Sequence, residues 1–255
     1  MGPLLESIFV DPTSGVSAGE VLVILGAPGV GKSRLAMQWL SWVCRQYDTP
    51  GLYVATDGEM AAPQVIELAK ALSALDAGIH LAGAPLPAQV AVWEQDALCS
   101  MISGLRDCGP GPFPVVVDSL LGLSTTWNQE RAVRSLKDAA VAGNAAIVLL
   151  AGNHAVGSGA GPRSVLHPAD VVLRMTLDET EAACRRITAV KNRHGRVPIS
   201  ALVRHTESGL ISILADGSDA ADAGDVSERG LIEALADDVS PLSVFVVEEV
   251  VCDEP

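Results

Sequence analysis

Residues 21–33 read Val-Leu-Val-Ile-Leu-Gly-Ala-Pro-Gly-Val-Gly-Lys-Ser, an apolar run that passes into the pattern G-x-x-x-x-G-K-[ST]. The unbroken apolar character of Val21 to Leu25 suits a strand buried on both faces of a parallel sheet, and the amphipathic stretch KSRLAMQWLSWV from Lys32 suits a helix. Between them, Gly26, Gly29 and Gly31 carry no Cβ. The loop Gly26-Ala27-Pro28-Gly29-Val30-Gly31-Lys32-Ser33 can therefore curl and aim successive N–H groups at phosphates, with the positive end of the helix behind them. Lys32 brings the ammonium that reaches the β and γ phosphates, and Ser33 brings a hydroxyl of the kind Mg²⁺ takes as a ligand. Arg34 follows directly and belongs to the same nucleotide-facing set. The stretch implies ATP and Mg²⁺ as cofactors.

Outward from this loop, a second buried strand, LYVAT (52–56), ends in Asp57-Gly58-Glu59-Met60. Carboxylates just past a strand's C-terminal end sit on the sheet edge where α/β proteins hold ligands, so Asp57 and Glu59 are both candidates for catalysis. A helix over 60–75, a short strand at IHLAG and a helix over 88–105 come next, closed by the Gly/Pro turn at 108–112. PVVVDSLLGL then has the form of a Walker B strand, whose Asp118 would orient the magnesium shell opposite Ser33. A helix over 128–143 leads to the buried strand AAIVLLAG, at whose end stand Asn153 and His154. The glycine-rich segment 154–164 reads as a mobile loop. Four short strand-like runs with turns between them (ADVVLRMTLD, CRRITAVKNRHG, ISALVRH, GLISIL) suggest antiparallel additions to the parallel sheet. The expected fold is α/β, with a mainly parallel central sheet flanked by helices and antiparallel strands at its C-terminal end.

The 255 residues are 49% apolar but only 4% aromatic, which suits one sizeable core built of Ala, Val, Leu and Ile. The net charge of −14 is unevenly spread: residues 1–215 hold 16 Lys/Arg against 19 Asp/Glu, whereas 216–255 hold one Arg against 12 acids. This divides the chain into an ATPase-like domain, 1–215, and an acidic tail, 216–255, expected to be disordered and available to a protein partner. A nearly neutral domain can still bind nucleic acid if its cations converge on one surface. No apolar run is long enough to span a membrane, and the N-terminus lacks the form of a signal peptide, so a cytoplasmic protein is expected. The five cysteines (44, 99, 108, 184, 252) include no C-x-x-C pair, which argues against zinc and against a disulfide framework.

The order of these elements is that of a RecA-like P-loop NTPase core. Ala160-Gly161-Pro162-Arg163, then His167, Asp170 and Leu173, then Lys191-Asn192-Arg193-His194-Gly195, resemble the AGP[RK]…H..D..L segment and the KNRFG motif of the bacterial RadA/Sms recombination ATPases. The likeness spans about residues 15–214. His194 stands where the family has Phe, and the segments after Asp118 and His154 are shorter than the family's.

The resemblance implies an ATP-dependent DNA recombination and repair motor acting on single-stranded or branched DNA, working as a homo-oligomeric ring, such as a hexamer, or a filament. It makes Glu59 the catalytic base in preference to Asp57, and Asn153 or His154 the sensor between γ-phosphate and DNA loop. Arg131, Arg134 and Arg163 become the candidate DNA contacts. Lys191 and Arg193 are two apart on an expected strand, so both should face one way with no interleaved carboxylate. In RadA/Sms and in DnaB helicases the matching pair enters the neighbouring subunit's nucleotide site. A DnaB-like replicative helicase and a KaiC-like regulatory ATPase that does not act on DNA are the alternatives.

If Glu59 is the general base, Glu59→Gln should leave ATP binding intact and lower turnover by roughly 10² to 10⁴. Parental turnover in that variant would move the role to Asp57.

Overall fold

Four of the apolar runs become neighbouring parallel strands because each can bury both of its faces. They are β1 (Val21–Gly26), β2 (Gly51–Ala55), β4 (Phe113–Asp118) and β5 (Ala145–Gly152), adjacent in the order β2-β4-β5-β1. A computed structural model of the chain describes residues 16–56, 62–83, 95–108, 112–123, 129–152, 167–193, 199–206 and 209–213. The acidic segment 216–255 lies outside them. β3 (Ile79–Gly83) adds to one side of the sheet, and β6 (Val171–Leu177), β7 (Cys184–Asn192), β8 (Ile199–Thr206) and β9 (Gly209–Ser212) add to the other.

Among the described residues the helices α1 (Lys32–Tyr47), α2 (Ala62–Ala71), α3 (Gln95–Ser103) and α4 (Gln129–Gly143) cover the two faces. Alternation along β1 shows how the layers divide. Leu22 and Ile24 point toward α1, into one cluster with Leu35, Met37, Leu40 and Val43. Val21, Val23 and Leu25 point the other way, into a second cluster with Leu98 of α3 and Val133, Leu136 and Ala140 of α4. Every residue of β1 is buried, so the strand behaves as the common wall of two cores. The helices lie within the stretches expected for them or run slightly longer. α1 continues to Tyr47, where Asp48 takes a left-handed conformation and closes the helix with its N–H on the Cys44 carbonyl.

The sequence reading of the last four strands needs one correction. β6 is not wholly an antiparallel addition: it pairs parallel with β1, from Leu22 opposite Val171 to Gly26 opposite Met175, and antiparallel only with β7. The change of direction thus falls one strand later than expected. The reason is visible in its burial, since Val171, Val172 and Leu173 are all buried before alternation begins, as in the strands to its other side. Between β6 and β7 the register slips at Val172/Leu173, where Lys191 faces Val172 but Ala189 faces Leu173, leaving Val190 as the extra residue of a bulge.

The closeness of α3 to α4 depends on a glycine. A Cβ at Gly143 would stand 2.0 Å from the Ile102 carbonyl oxygen and 3.1 Å from the Ser103 Cα, both of them backbone atoms. Gly143→Ala should therefore destabilise the fold by about 1–3 kcal/mol through overpacking, despite alanine's better helix propensity. Urea denaturation checks this, and unchanged or raised stability would show that the two helices can part at no cost.

Candidate active site

The C-terminal ends of β1, β4 and β5 bring the central residues together. Gly26 ends β1 opposite Gly152 of β5, and Asp118 ends β4. Beyond Gly26 the chain turns, with the Val30 N–H donating to the Ala27 carbonyl, and Val30 is buried beneath the loop while Ala27, Pro28 and Gly29 are exposed. Gly31 then takes φ 110°, a left-handed conformation open to glycine, and its carbonyl accepts the Leu35 N–H at 3.0 Å to start α1. The loop is thereby curled at the positive end of a 16-residue helix, the arrangement that holds phosphate.

Around this loop the polar groups converge. The Lys32 ammonium donates to the Gly26 and Ala27 carbonyls, each at 3.0 Å, and so lies across the loop. The Ser33 hydroxyl donates to Asp118 Oδ2 at 2.6 Å, and the buried Tyr53 hydroxyl donates to the same oxygen. Asp118 is itself buried, and its backbone carbonyl accepts the Thr56 N–H at 2.6 Å, tying the end of β2 to the end of β4. Thr56 is the last described residue before Asp57 and Glu59, which lie outside the described residues, as do Asn153, His154 and Arg163. Among the described residues, then, Ser33 and Asp118 are brought into direct hydrogen-bond contact. Their hydroxyl and carboxylate oxygens are the donor types a hard cation such as Mg²⁺ takes.

Arg185, Gln38 and His205 also stand beside the loop or the helix that follows it. Arg185 of β7 donates through Nε to the Val30 carbonyl at 3.0 Å, while its Nη1 donates to the Ala182 and Cys184 carbonyls. Arg34 reaches from α1 to the Thr206 carbonyl at 3.1 Å, and Gln38 accepts the Leu210 N–H at 2.9 Å. His205 lies within 4.0 Å of where a Gly31 Cβ would sit. Burial first, then the guanidiniums of Arg34 and Arg185, push its imidazole below the ordinary histidine range. The antiparallel strands thus brace the phosphate loop from beneath.

The expectation for Lys191 and Arg193 is corrected on two counts. β7 ends at Asn192, so Arg193 lies one residue beyond the strand, and a carboxylate from elsewhere in the chain meets one of the two cations. Asp170, 1% exposed, accepts Arg193 Nη1 at 2.7 Å and also pairs with Lys137 of α4. The Lys191 ammonium instead donates to the His167 carbonyl at 3.0 Å and to the Ala169 carbonyl. Burial pushes the Lys191 ammonium below the ordinary lysine range, with Asp170 acting in the opposite sense. The spacing within K-x-R gave no sign of Asp170 because that residue lies more than 20 positions earlier in the chain.

Arg193 also sits far from its own phosphate loop. Asp170 Oδ2 accepts the N–H of Val21, the first residue of β1, whereas the loop begins at Gly26, the last. Five steps of strand separate these ends by about 17 Å, well beyond the reach of one side chain. Arg131 and Arg134 are exposed on α4, and Arg134 pairs with Glu130 one turn away at 2.7 Å.

Comparison with known proteins places the chain among ATPase domains of similar sequence and fold. A family model described as "ATPase: KaiC" matches residues 4–76. The DNA repair protein RadA of Mycolicibacterium smegmatis is 32% identical over 197 residues, covering 71% of this chain and 38% of that protein. RadA of Streptococcus pneumoniae is 28% identical over 205 residues, covering 78% of this chain and 46% of that protein. Among solved structures, the flagellar accessory protein FlaH of Methanocaldococcus jannaschii superposes with a TM-score of 0.60 at 15% identity, over 83% of this chain and 95% of that one. A second solved structure, itself an ATPase domain, gives a TM-score of 0.61 at 13% identity, over 80% of this chain and 91% of that one.

The chain has a RecA-fold ATPase core similar to that of the RadA proteins.

This RadA-like core is a P-loop ATPase domain, and it spans less than half the length of the RadA proteins it matches. Among its described residues no helix is long and apolar enough to cross a membrane. The brace from β7 should matter to nucleotide binding: Arg185→Met removes the charged donor on the Val30 carbonyl, a contact of about 1.5–3 kcal/mol where fully formed. ATP affinity should fall by roughly tenfold while the turnover of bound ATP is little changed. Equal affinity in a direct ATP titration would show that the loop holds its shape without Arg185.

Proposed function

We propose that this ATPase is a DNA recombination and repair motor of RadA type that works as a homo-oligomer, coupling ATP hydrolysis to single-stranded or branched DNA. The observation that carries this reading is that the phosphate loop and the cationic pair lie apart within one subunit. The phosphate loop, Ser33 and Asp118 lie at one end of β1, and Lys191 and Arg193 lie at the other. Phosphoryl transfer builds negative charge on the γ-phosphate, and cations beyond the phosphate loop's own lysine are what stabilise it. A cationic pair that cannot reach its own loop can serve a neighbour's, in a ring or a filament.

Within each site Lys32 and the loop N–H groups bind the phosphates, and Ser33 with Asp118 would hold Mg²⁺. That ion, when bound, would neutralise part of the phosphate charge. Glu59 is proposed to orient the attacking water, with Asn153 or His154 sensing the γ-phosphate. Arg131, Arg134 and Arg163 are proposed to meet the DNA, and the acidic tail to engage a protein partner. The RadA likeness over some 70% of the chain supports DNA as the second ligand.

The test combines Lys32→Ala protein, whose cationic pair is intact, with Lys191→Ala/Arg193→Ala protein, whose phosphate loop is intact. Each parent should be nearly inactive, since a cation acting in trans contributes roughly 10³ to 10⁵ in related phosphoryl transfers. Their mixture should exceed the sum of the parents, and single-stranded DNA should raise the wild-type rate. Additive activity in mixtures that exchange subunits would exclude a shared site. Strong turnover indifferent to DNA would favour a KaiC-like regulatory ATPase instead.

A further inference from the structure

We infer that Asp170 is a positioning residue for catalysis, which grips Arg193 by one edge of its guanidinium and presents the other edge to the γ-phosphate of a neighbouring subunit. This rests on the shared-site reading above and assigns to it a residue outside the K-x-R pair.

A carboxylate that is 1% exposed is costly to bury unless its oxygens are met by donors. Here the donors come from three separate places. Oδ2 accepts the Val21 N–H at 3.0 Å, while Oδ1 accepts Arg193 Nη1 at 2.7 Å and the Lys137 ammonium. The backbone fastens the same points, because the Asp170 N–H donates to the Val21 carbonyl at 2.9 Å and the Arg193 N–H donates to the Asp170 carbonyl at 3.1 Å. Asp170 thereby ties the segment after β7 to the first residue of β1, a strand buried along its whole length.

The exposures of the two partners differ sharply. Arg193 keeps 63% of its side chain exposed while one end of its guanidinium is held on a buried anion. Guanidinium is suited to this use because its five N–H groups lie in one rigid plane, so fixing one edge orients the rest. A lysine ammonium on a flexible stem, held by the same oxygen, has no second edge in a fixed direction. The single charge of Asp170 also leaves the cluster positive, since Lys137, Lys191 and Arg193 surround it. The site therefore keeps its attraction for a phosphate while losing the rotamer freedom that would otherwise have to be given up on binding.

Asp170→Asn tests this, since the amide oxygen can still accept the Val21 N–H while its NH₂ group is turned toward two cations. ATP affinity should be unchanged, and turnover should fall on the order of 10²-fold, the scale of loss that small misplacement causes. The diagnostic readout is directional. Asp170→Asn protein mixed with Lys32→Ala protein should regain activity, because its sound phosphate loop is served by an intact Arg193. Mixed with Lys191→Ala/Arg193→Ala protein it should not, because neither partner donates a positioned cation. If Asp170→Asn rescues Lys191→Ala/Arg193→Ala as well as Lys32→Ala does, the positioning role is wrong while the shared site stands. If Lys32→Ala itself fails to rescue, the shared site falls and the inference with it. Arg193→Lys, a change at an exposed side chain, covers the case in which Asp170→Asn does not fold. It should lose nearly as much turnover as Arg193→Ala, and parental turnover in Arg193→Lys would overturn the two-edged use of the guanidinium.

Discussion

The double burial of β1 is the constraint from which the rest of the structure follows. A strand paired parallel on both sides, with apolar side chains packed into a helical layer above and another below, has no lateral or rotational freedom. Slipping it by one residue would exchange Leu22 and Ile24 with Val21, Val23 and Leu25 and spoil both cores at once. With its register set, each end of the strand becomes a fixed point in space. The phosphate loop starts from one of these points and the Asp170 cluster is bound to the other.

The polar chemistry depends on this rigidity more than on the individual contacts. Asp118 occupies a low-dielectric position at the sheet edge, where hydrogen bonds from Ser33 and Tyr53 are worth more than they would be in water and where an unmet carboxylate would be correspondingly costly. The same trade appears at Asp170, whose three side-chain partners are supplied by β1, α4 and the segment after β7. In both places a buried acid is kept because several elements converge to satisfy it, which in turn pins those elements to one another.

The local parts of this structure were legible in the sequence. VLVIL, LYVAT and AAIVLLAG each show the continuous apolar run of a doubly buried strand, and KSRLAMQWLSWV shows the 3.6-residue period of a helix. Asp118 could be found because it closes such a run downstream of a phosphate loop. What could not be read was set by long-range pairing. Nothing near Asp170 announces that Lys137 and Arg193 share its oxygen, and nothing near Arg185 announces that Val30, 155 positions earlier, is its acceptor. The parallel side of β6 escaped for the same reason, since its partner β1 lies some 150 residues before it. Period-2 patterning reveals a strand but not its neighbour's direction.

The bracing of the phosphate loop by the antiparallel strands has a consequence for how the protein comes to be made. Gly31, Val30, Arg34 and Gln38 find their partners at Met175, Arg185, Thr206 and Leu210, so the nucleotide loop is completed by segments synthesised long after it, 155 to 172 positions later for the three hydrogen-bonded pairs. Contacts of such sequence separation form slowly, since a long loop must close before they return any stabilisation. A nascent chain lacking β7 to β9 would carry the whole phosphate-loop motif and yet lack the floor that shapes it. Affinity for ATP should therefore rise as these later strands dock, and nucleotide, which stabilises whatever state it binds, would favour the sheet that carries them over a shorter intermediate.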